Sequence, residues 1–266
     1  MIAGVPSGEV TVPAGVRAVA GGRALRAVWR NELGGITFEI PTAAGRWFVK
    51  WAPAECGLDL AAEAARLRWA ARFTPVPVVD DHGRDADGEW LVTVGLPGDN
   101  AVTHRWRAAP ATAVTAIGAG LRHLHDALPV DACPFSWGID DRMAELGRRA
   151  AAGRLDPSRW HAEHTALGRA GALARLANAP PVDRPVVCHG DACAPNTLIG
   201  ADGTWTGHVD LGALGVADRW ADLAIATWSL NWNYGPGWEP TLLAAYGVDP
   251  DPVRTVFYRL LWDLTS

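Results

Sequence analysis

The chain has 266 residues, of which 49% are hydrophobic, so it is long enough for one large domain or two modest ones. The net charge of −5 argues against a nucleic-acid-binding surface, and the lack of a long apolar run argues against a transmembrane helix. The four cysteines show no paired spacing, and the first residues lack the pattern of a signal peptide. We therefore expect a cytoplasmic protein with reduced thiols and no nucleic-acid or membrane partner.

Residues 1–97 predict a small β-rich lobe with one helix. Apolar residues recur at helical spacing over residues 58–73, which predicts the helix. The adjacent glycines Gly34 and Gly35 and the stretch 83–88 predict turns. Aromatic and β-branched runs predict strands at residues 27–30, 36–40, 46–51, 76–79 and 90–94.

Lys50 is the one lysine among 24 basic residues, and the others are all arginine. An ammonium group is compact and a guanidinium group is a wide fork, so the retained lysine indicates a site fitted to an ammonium, such as phosphate oxygens. Glu63 lies on the apolar face of the predicted helix, beside Leu60 and Leu67, and an inward carboxylate needs a partner. We predict that Lys50 is this partner. The alternatives are that the lysine is incidental and that Glu63 reaches solvent.

Residues 98–266 predict a larger, mainly α-helical lobe, which follows a linker at residues 96–99. Between its helices, residues 197–199 and 205–210 predict a short β-hairpin around a turn. Helical patterns occur at residues 109–126, 140–152, 158–177, 219–232, 240–246 and 250–264.

The most informative motif combines His189, Gly190 and Asp191 with Asn196, five residues further on, and with Asp210 at the end of the predicted hairpin. In protein kinases the first Asp of this pattern takes a proton from the attacking hydroxyl, while the Asn and the second Asp hold magnesium. A tight loop followed by a hairpin can bring the three groups around one phosphoryl group. We therefore predict Asp191 as the catalytic base and Asn196 and Asp210 as Mg²⁺ ligands.

Seven longer segments follow a known pattern, at residues 48–50, 63–67, 121–125, 133–135, 189–196, 210–224 and 257–264. Through them the chain resembles the aminoglycoside phosphotransferase family, nearest to its 3′-hydroxyl kinases of the kanamycin and neomycin type. The resemblance covers roughly residue 27 to the C-terminus. It implies a bilobal, protein-kinase-like α+β fold, with a nucleotide-binding lobe at residues 1–97 and a catalytic and substrate-binding lobe at 98–266. It also implies ATP, or alternatively GTP, and Mg²⁺.

The resemblance also implies a set of nucleotide contacts. Lys50 would bind the phosphates with Glu63 behind it, and the loop at Gly34 and Gly35 would cover the phosphates through backbone N–H groups. Relatives often carry a serine in that loop, and none is present here. The purine would lie against Phe48, Leu198 and Val209 and against a hinge that contains Thr93, Val94 and Leu96.

The substrate-binding half departs from the family pattern. A polycationic acceptor needs acidic walls, yet residues 155–164 contain only two acids and one arginine. One interpretation is that Asp156, Glu163 and Asp263 suffice for a less charged aminoglycoside, and the other is that the acceptor is not an aminoglycoside. Aromatic faces bind sugar rings, which makes Trp160, Trp228 and Trp232 further candidates, unless they only pack helices together.

We predict a small-molecule kinase that transfers the γ-phosphate of ATP to a hydroxyl of an aminoglycoside-type antibiotic, the 3′-hydroxyl first, and so confers resistance. The alternative within this fold is a kinase of a less cationic, sugar-containing metabolite or natural product. A third possibility, from a different class, is a catalytically silent nucleotide-binding protein. We expect a monomer or a weak dimer.

Overall fold

The computed structural model describes residues 4–31, 33–43 and 45–265. Its internal contacts divide the chain into two compact units. The N-terminal unit comprises Met1–Pro97 with Val209–Gly212, and the C-terminal unit comprises Gly98–His208 with Ala213–Ser266. A short segment that carries Asp210 therefore packs into the N-terminal unit, although both its flanks in the sequence belong to the C-terminal unit.

One antiparallel sheet forms the frame of the N-terminal unit. Its strands are β1 (Arg26–Arg30), β2 (Ile36–Thr42), β3 (Gly45–Pro53), β4 (Val78–Arg84) and β5 (Gly88–Val94), in the spatial order β1-β2-β3-β5-β4. Lys50 on β3 pairs with Thr37 on β2 and with Leu91 on β5. Because side chains alternate along a strand, Phe48 and Lys50 share one face, while Val49 points to the other.

The face that carries Val49 is covered by a helix that the sequence did not predict. This helix, α1 (Ala14–Ala20), contributes Val16 and Ala20 to a buried cluster with Phe38, Ile40 and Val49. The helix that the sequence predicted at residues 58–73 is the second one, α2 (Leu60–Ala70). This part of the chain therefore has two helices, and the prediction of a single helix is wrong. With seven residues, α1 is too short to show helical periodicity, and its packing against the sheet stabilises it.

Strand β4 also differs from its prediction. It begins and ends later than residues 76–79 and includes Gly83, which the sequence assigned to a turn. Gly83 pairs with Trp90 on β5, and a Cβ atom at this position would collide with the Trp90 ring. The glycine is thus required by a cross-strand aromatic ring and not by a turn.

The C-terminal unit is mainly helical, with two small antiparallel sheets. No helix in the described ranges is both long and apolar enough to cross a lipid bilayer. The helices are α3 (His104–Arg107), α4 (Pro110–Ala127), α5 (Ile139–Ala151), α6 (Ala162–Thr165), α7 (Gly168–Leu176), α8 (Trp220–Tyr234), α9 (Glu239–Tyr246) and α10 (Pro252–Thr265). The strands are β6 (Asp99–Asn100), β7 (Pro185–Cys188), β8 (Thr197–Ile199), β9 (Trp205–His208) and β10 (Gly215–Asp218), which form the sheets β7-β10 and β6-β8-β9.

The helix predicted at residues 158–177 is broken into three short pieces. These are a 3₁₀ turn at Pro157–Arg159 followed by α6 and α7. The carboxylate of Asp263 accepts a hydrogen bond from the His161 backbone N–H, which fixes the extended chain between the turn and α6. Gly168 has a φ of +62°, which separates α6 from α7. Both causes involve backbone geometry or distant residues that helical periodicity does not record.

A comparison of two helical glycines tests the packing of the C-terminal unit. A Cβ atom at Gly118 of α4 would lie 2.5 Å from the carbonyl oxygen of Leu242 on α9, whereas one at Gly147 of α5 would meet nothing within 4 Å. We expect Gly118→Ala to lower the free energy of unfolding by about 1–3 kcal/mol, because backbone atoms obstruct the methyl group. We expect Gly147→Ala to raise it by about 0.5–1 kcal/mol, through the higher helix propensity of alanine. Urea denaturation of both variants measures the difference, and equal effects would contradict the close packing of α4 on α9.

Candidate functional site

An ion network in the N-terminal unit centres on Lys50. The Lys50 Nζ atom lies 2.7 Å from Glu63 Oε2 on α2 and 2.6 Å from Asp210 Oδ1. The side chains of Lys50 and Glu63 are 17% and 6% exposed, and that of Asp210 is 44% exposed. The predicted Lys50–Glu63 pair is thus present, and Asp210 joins it from the segment Val209–Gly212.

The surroundings keep Lys50 charged. Burial lowers the pKa of the Lys50 ammonium group, but the carboxylates of Asp210 and Glu63 raise it by more, so the net shift is upward. Glu63 is held in the first turn of α2, whose N-terminus is capped by Asp59 through a hydrogen bond from the Ala62 N–H. A fixed, protonated ammonium group beside a solvent-exposed carboxylate can bind anionic oxygens.

Asp210 has an unusual backbone. In the described part of the chain it is the one residue other than glycine with a positive φ, at 64°. This left-handed conformation disfavours most side chains and is tolerated by Asp, and such residues often lie at functional sites. Strand β9 stops at His208, so the hairpin ends two residues earlier than the predicted strand at residues 205–210.

Of the residues predicted to bind the purine, Phe48 lies on β3, and Thr93 and Val94 lie on the paired strand β5. Phe48 pairs with Thr93 across β3 and β5. The Arg46 guanidinium lies over the Phe48 ring, 5.7 Å from its centroid, and donates a 3.3 Å hydrogen bond to the Leu96 carbonyl oxygen. The aromatic ring and the predicted hinge that contains Val94 are therefore connected through Arg46, a residue that the sequence did not single out.

The loop between β1 and β2 contains the two predicted glycines. Gly34 has a φ of +88°, and Gly35 donates its N–H to Asn31 Oδ1 at 2.7 Å. The Asn31 side chain also accepts from the Leu33 N–H at 3.1 Å, so it organises the loop from within. The loop conformation requires glycine at position 34.

In the C-terminal unit, Asp191 and Asn196 are hydrogen-bonded to each other. The Asn196 Nδ2 atom donates to the backbone oxygen of Asp191 at 2.9 Å and to its carboxylate Oδ2 at 3.1 Å. Gly190 precedes them with a φ of +86°, and a Cβ atom there would collide with the carbonyl oxygen of Ala213. The tight turn and the amide side chain fix the orientation of the Asp191 carboxylate.

A buried carboxylate anchors this catalytic loop. Asp222, which is fully buried on α8, accepts from the backbone N–H groups of His189 at 2.6 Å and Gly190 at 2.9 Å. It also accepts from His125 Nε2 on α4 at 2.9 Å. Burial raises the pKa of Asp222, but these hydrogen bonds and the nearby histidines lower it by more, so the net shift is downward. Asp222 and His125 lie in segments of the family resemblance but received no role from the sequence.

A second anchor on the same helix holds the other end of the loop. Ser229 Oγ accepts from the Ala194 backbone N–H at 2.9 Å, and Asn233 Nδ2 donates to the Ser229 backbone oxygen at 2.8 Å. Helix α8 therefore contacts the loop on both sides of Asp191. No feature of the sequence distinguishes Ser229 from other helical serines.

Asn196 in the C-terminal unit and Asp210 in the N-terminal unit each carry a side-chain oxygen of the kind that binds magnesium. The Asn196 amide nitrogen is bonded to Asp191, which leaves the amide oxygen on the opposite side of the group, and Asp210 supplies an exposed carboxylate. Neutral and anionic oxygens are the ligands that Mg²⁺ prefers. Another cluster of ligand atoms, formed by His125, Cys188 and Asp222, is fully buried, and the hydrogen bonds of Asp222 account for it without a metal.

The predicted substrate residues separate into three groups. Trp228 and Trp232 lie together on α8 with ring centroids 5.1 Å apart. Trp160 is buried, whereas Asp156 caps its own 3₁₀ turn by accepting from the Ser158 N–H. The remaining acids, Asp263 and Glu163, both lie beside His164, at 2.6 and 3.8 Å.

Two further residues were predicted to contact the purine. Leu198 is half-buried on β8, and Val209 is half-buried in the segment Val209–Gly212.

Comparison with known proteins gives consistent similarities. A model of the phosphotransferase enzyme family matches residues 15–256. An aminoglycoside 3′-phosphotransferase of Streptomyces fradiae is 38% identical over 79% of this chain and 81% of its own length. A streptomycin 3″-kinase of Streptomyces griseus is 34% identical over 90% of this chain and 91% of its own length.

The chain is also similar to a solved structure. Aminoglycoside phosphotransferase APH(3″)-Id of Streptomyces rimosus, in complex with ADP and streptomycin, is 29% identical with a TM-score of 0.74. The likeness covers 94% of this chain and 96% of that chain. The predicted α+β, protein-kinase-like fold class is confirmed by this likeness.

The anchoring role of Asp222 is testable by Asp222→Asn. An asparagine fills the same volume, but its NH₂ group cannot accept the N–H donors that the carboxylate accepts, so buried groups lose partners. We expect the free energy of unfolding to fall by about 2–3 kcal/mol, and the His189 and Gly190 amides to exchange hydrogen faster.

Asp126→Asn provides the matched control. Asp126 is 42% exposed and pairs with Arg122 and Arg184 at the surface, so its loss should change stability by less than about 0.5 kcal/mol. Denaturation and amide exchange measured on both variants decide the question. Similar effects from the two substitutions would show that Asp222 does not anchor the loop.

Proposed function

Because the chain belongs to the phosphotransferase enzyme family, we propose that it transfers the γ-phosphoryl group of ATP to a hydroxyl group of an aminoglycoside-type antibiotic. The observation that carries this proposal is the Asp191–Asn196 pair, held on a loop that α8 anchors at both ends. The named activities of the relatives support the acceptor class. The 3′-phosphotransferase similarity makes the 3′-hydroxyl the first position to test.

The proposed role of Asp191 follows from the direction of its hydrogen bonds. The Asn196 amide holds the Asp191 carboxylate in one orientation, and a carboxylate fixed in this way can act as the hydrogen-bond acceptor that orients the hydroxyl of the acceptor. In the transfer, the acceptor oxygen forms a bond to the γ-phosphorus, and the bond from that phosphorus to the β,γ-bridging oxygen breaks. ADP leaves with the electron pair of the broken bond, and the hydroxyl proton passes to Asp191. Positioning supplies most of the acceleration, since phosphoryl transfer requires little covalent work from the protein.

The proposed nucleotide contacts rest on the N-terminal unit. Lys50 would neutralise phosphate oxygens while Glu63 keeps the ammonium group in place. Phe48 and the hinge residues would receive the adenine, and Gly34 allows the loop above the phosphates to turn closely. ADP in the related structure supports an adenine nucleotide, with GTP as the alternative to test.

We propose Asn196 and Asp210 as the residues that would hold Mg²⁺ through their side-chain oxygens. When bound, the ion neutralises charge on the phosphates during transfer. Lys50 and Asp210 form an ion pair, so Lys50 helps to set the orientation of the Asp210 carboxylate.

Antibiotic resistance would follow from the product. A phosphate group replaces a hydroxyl donor with a bulky dianion, which removes hydrogen-bonding capacity and adds negative charge to a cationic drug. The alternative of a less cationic, sugar-containing natural product uses the same chemistry and differs in the acceptor. A cytoplasmic location and action as a monomer or weak dimer remain part of this proposal.

Asp191→Asn tests the proposed catalytic base. ADP release with ATP, magnesium and aminoglycosides should fall by a factor of about 10²–10⁴, because the amide cannot accept the proton. Nucleotide affinity should stay unchanged, since Asp191 is not assigned a nucleotide contact. Asp202→Asn, at an exposed turn, is the matched control and should retain full activity. Full turnover by Asp191→Asn would refute the assignment.

Lys50→Arg tests the fit of the ammonium group. The two carboxylate oxygens lie 2.7 and 2.6 Å from Nζ, and a planar guanidinium is too wide for this position. We expect the KM for ATP to rise about tenfold, which corresponds to about 1.4 kcal/mol. The control is the opposite exchange, Arg17→Lys, at an exposed site on α1. It should leave the KM for ATP unchanged. A wild-type KM in Lys50→Arg would show that an ammonium group is not required.

A further inference from the structure

Four aromatic side chains of the C-terminal unit form a continuous surface, which we call the aromatic surface: Trp228, Trp232, Trp262 and His161. Trp228 is the centre, with ring centroids 5.1 Å from Trp232, 6.1 Å from Trp262 and 4.9 Å from His161. Trp232 and Trp262 lie 6.2 Å apart at an interplanar angle of 33°. Residues from α8, α10 and the chain before α6 therefore meet in one cluster.

The exposure of these rings differs in a way that core packing does not explain. Trp228 is 3% exposed and supports the others from below. Trp232 is 47% exposed, although indole is among the costliest side chains to leave in water. A rigid, exposed indole above a buried one is a suitable platform for the apolar C–H face of a sugar ring.

Two of the acidic side chains near this surface are closely paired within the protein. Asp263 is 10% exposed and accepts from the His161 backbone N–H at 2.8 Å and from His164 Nδ1 at 2.6 Å. Glu239 accepts from Arg259 at 2.9 Å, and the Arg259 guanidinium lies 6.0 Å from the Trp228 ring. Both carboxylates are therefore committed to groups of the protein.

Glu163 is the remaining acid of this group. Its side chain is 57% exposed, and its carboxylate lies 3.6 Å from His161 Nδ1 and 3.8 Å from His164 Nε2. Among Asp263, Glu239 and Glu163, only Glu163 is more than half exposed. A single exposed carboxylate can pair with one ammonium group of a ligand, and further ammonium groups would lose water without gaining a partner.

We propose that the aromatic surface binds the phosphoryl acceptor and selects a glycoside with few ammonium groups, one of whose sugar rings stacks on Trp232. This inference rests on the phosphotransferase function proposed above and specifies its substrate class. The position of the aromatic surface on α8 supports this inference. Helix α8 carries Trp228 and Trp232, and it also anchors the catalytic loop through Asp222 and Ser229. Stacking thus supplies the affinity that acidic residues supply for a polycation.

Pairs of acceptors that differ by one amino group test this selection. Kanamycin B and kanamycin A form one such pair, and neomycin and paromomycin form another; in each, a hydroxyl of the second replaces an amino group of the first. We expect kcat/KM for the less charged member to equal or exceed that for the more charged one. We also expect a weak dependence on salt, since few ion pairs form.

Variants of two residues on α8 complete the test. Trp232→Leu should raise the acceptor KM about tenfold without changing the KM for ATP, whereas Trp232→Phe should stay within about threefold of wild type. Phe73→Leu, at another partly exposed aromatic residue, is the matched control and should have no effect. Asn231→Asp adds an exposed carboxylate one position before Trp232 on α8 and should raise kcat/KM for the more charged acceptors severalfold at low salt, through its long-range attraction for cations.

The outcomes separate the inference from the proposed function. A preference of tenfold or more for the more charged member of each pair, or an unchanged acceptor KM in Trp232→Leu, would overturn the inference while the function stands. Absence of ADP release with every acceptor, in a protein that binds ATP by calorimetry, would overturn the function instead. Calorimetric titration of paromomycin and kanamycin A then decides the inference. Binding weakened in Trp232→Leu supports the aromatic surface, and absence of binding refutes it.

Discussion

The buried carboxylate of Asp222 is the constraint on which the catalytic loop depends. An unpaired carboxylate in a protein interior is unfavourable by several kcal/mol, so its three donors must all be in place for the unit to fold as it does. Two of these donors are backbone N–H groups of the loop, and the third is His125, whose other ring nitrogen is bonded to Tyr246 on α9. The loop therefore shares its position with α4, α8 and α9, and the geometry of Asp191 depends on the core of the unit and not on the loop alone.

The N-terminal unit also pairs a poorly exposed charge with groups of opposite sign, but in this unit the charge is positive. Here the buried charge is the Lys50 ammonium group, and two carboxylates compensate for its desolvation. They are not equivalent, because Glu63 is almost fully buried whereas Asp210 is nearly half exposed. Glu63 therefore fixes the lysine, and Asp210 is the more exposed of its two carboxylate partners. The division matches the roles proposed for them, with Glu63 in support and Asp210 as a ligand.

The sequence predicted those parts of the candidate site that depend on the identity and spacing of a few residues along the chain. The spacing of Asp191 and Asn196 identified two side chains that the structure joins by a hydrogen bond, and the isolation of Lys50 among arginines identified a lysine that the structure pairs with Glu63. The strands β2, β3 and β5 were also predicted, since their aromatic and β-branched runs are long. Helix α1 and strands β7 and β10 were missed, because four to seven residues carry too little periodicity and their stability comes from tertiary packing. Asp222 and Ser229 escaped for a related reason, since the backbone N–H groups they bind leave no trace in the sequence.

The acceptor-binding half shows a further limit, which concerns charge. Counting acids in the sequence treats Asp263 and Glu163 as equally available, but the structure pairs Asp263 with a histidine that lies 99 positions away. The charge a surface offers to a ligand is the charge that remains after such internal pairs are formed, and it can be determined only when the partners are known. For this chain the remainder is small, while the exposed indole of Trp232 is large and rigid. Recognition by stacking, with one carboxylate as a supplement, is therefore the arrangement that these side chains favour for an acceptor.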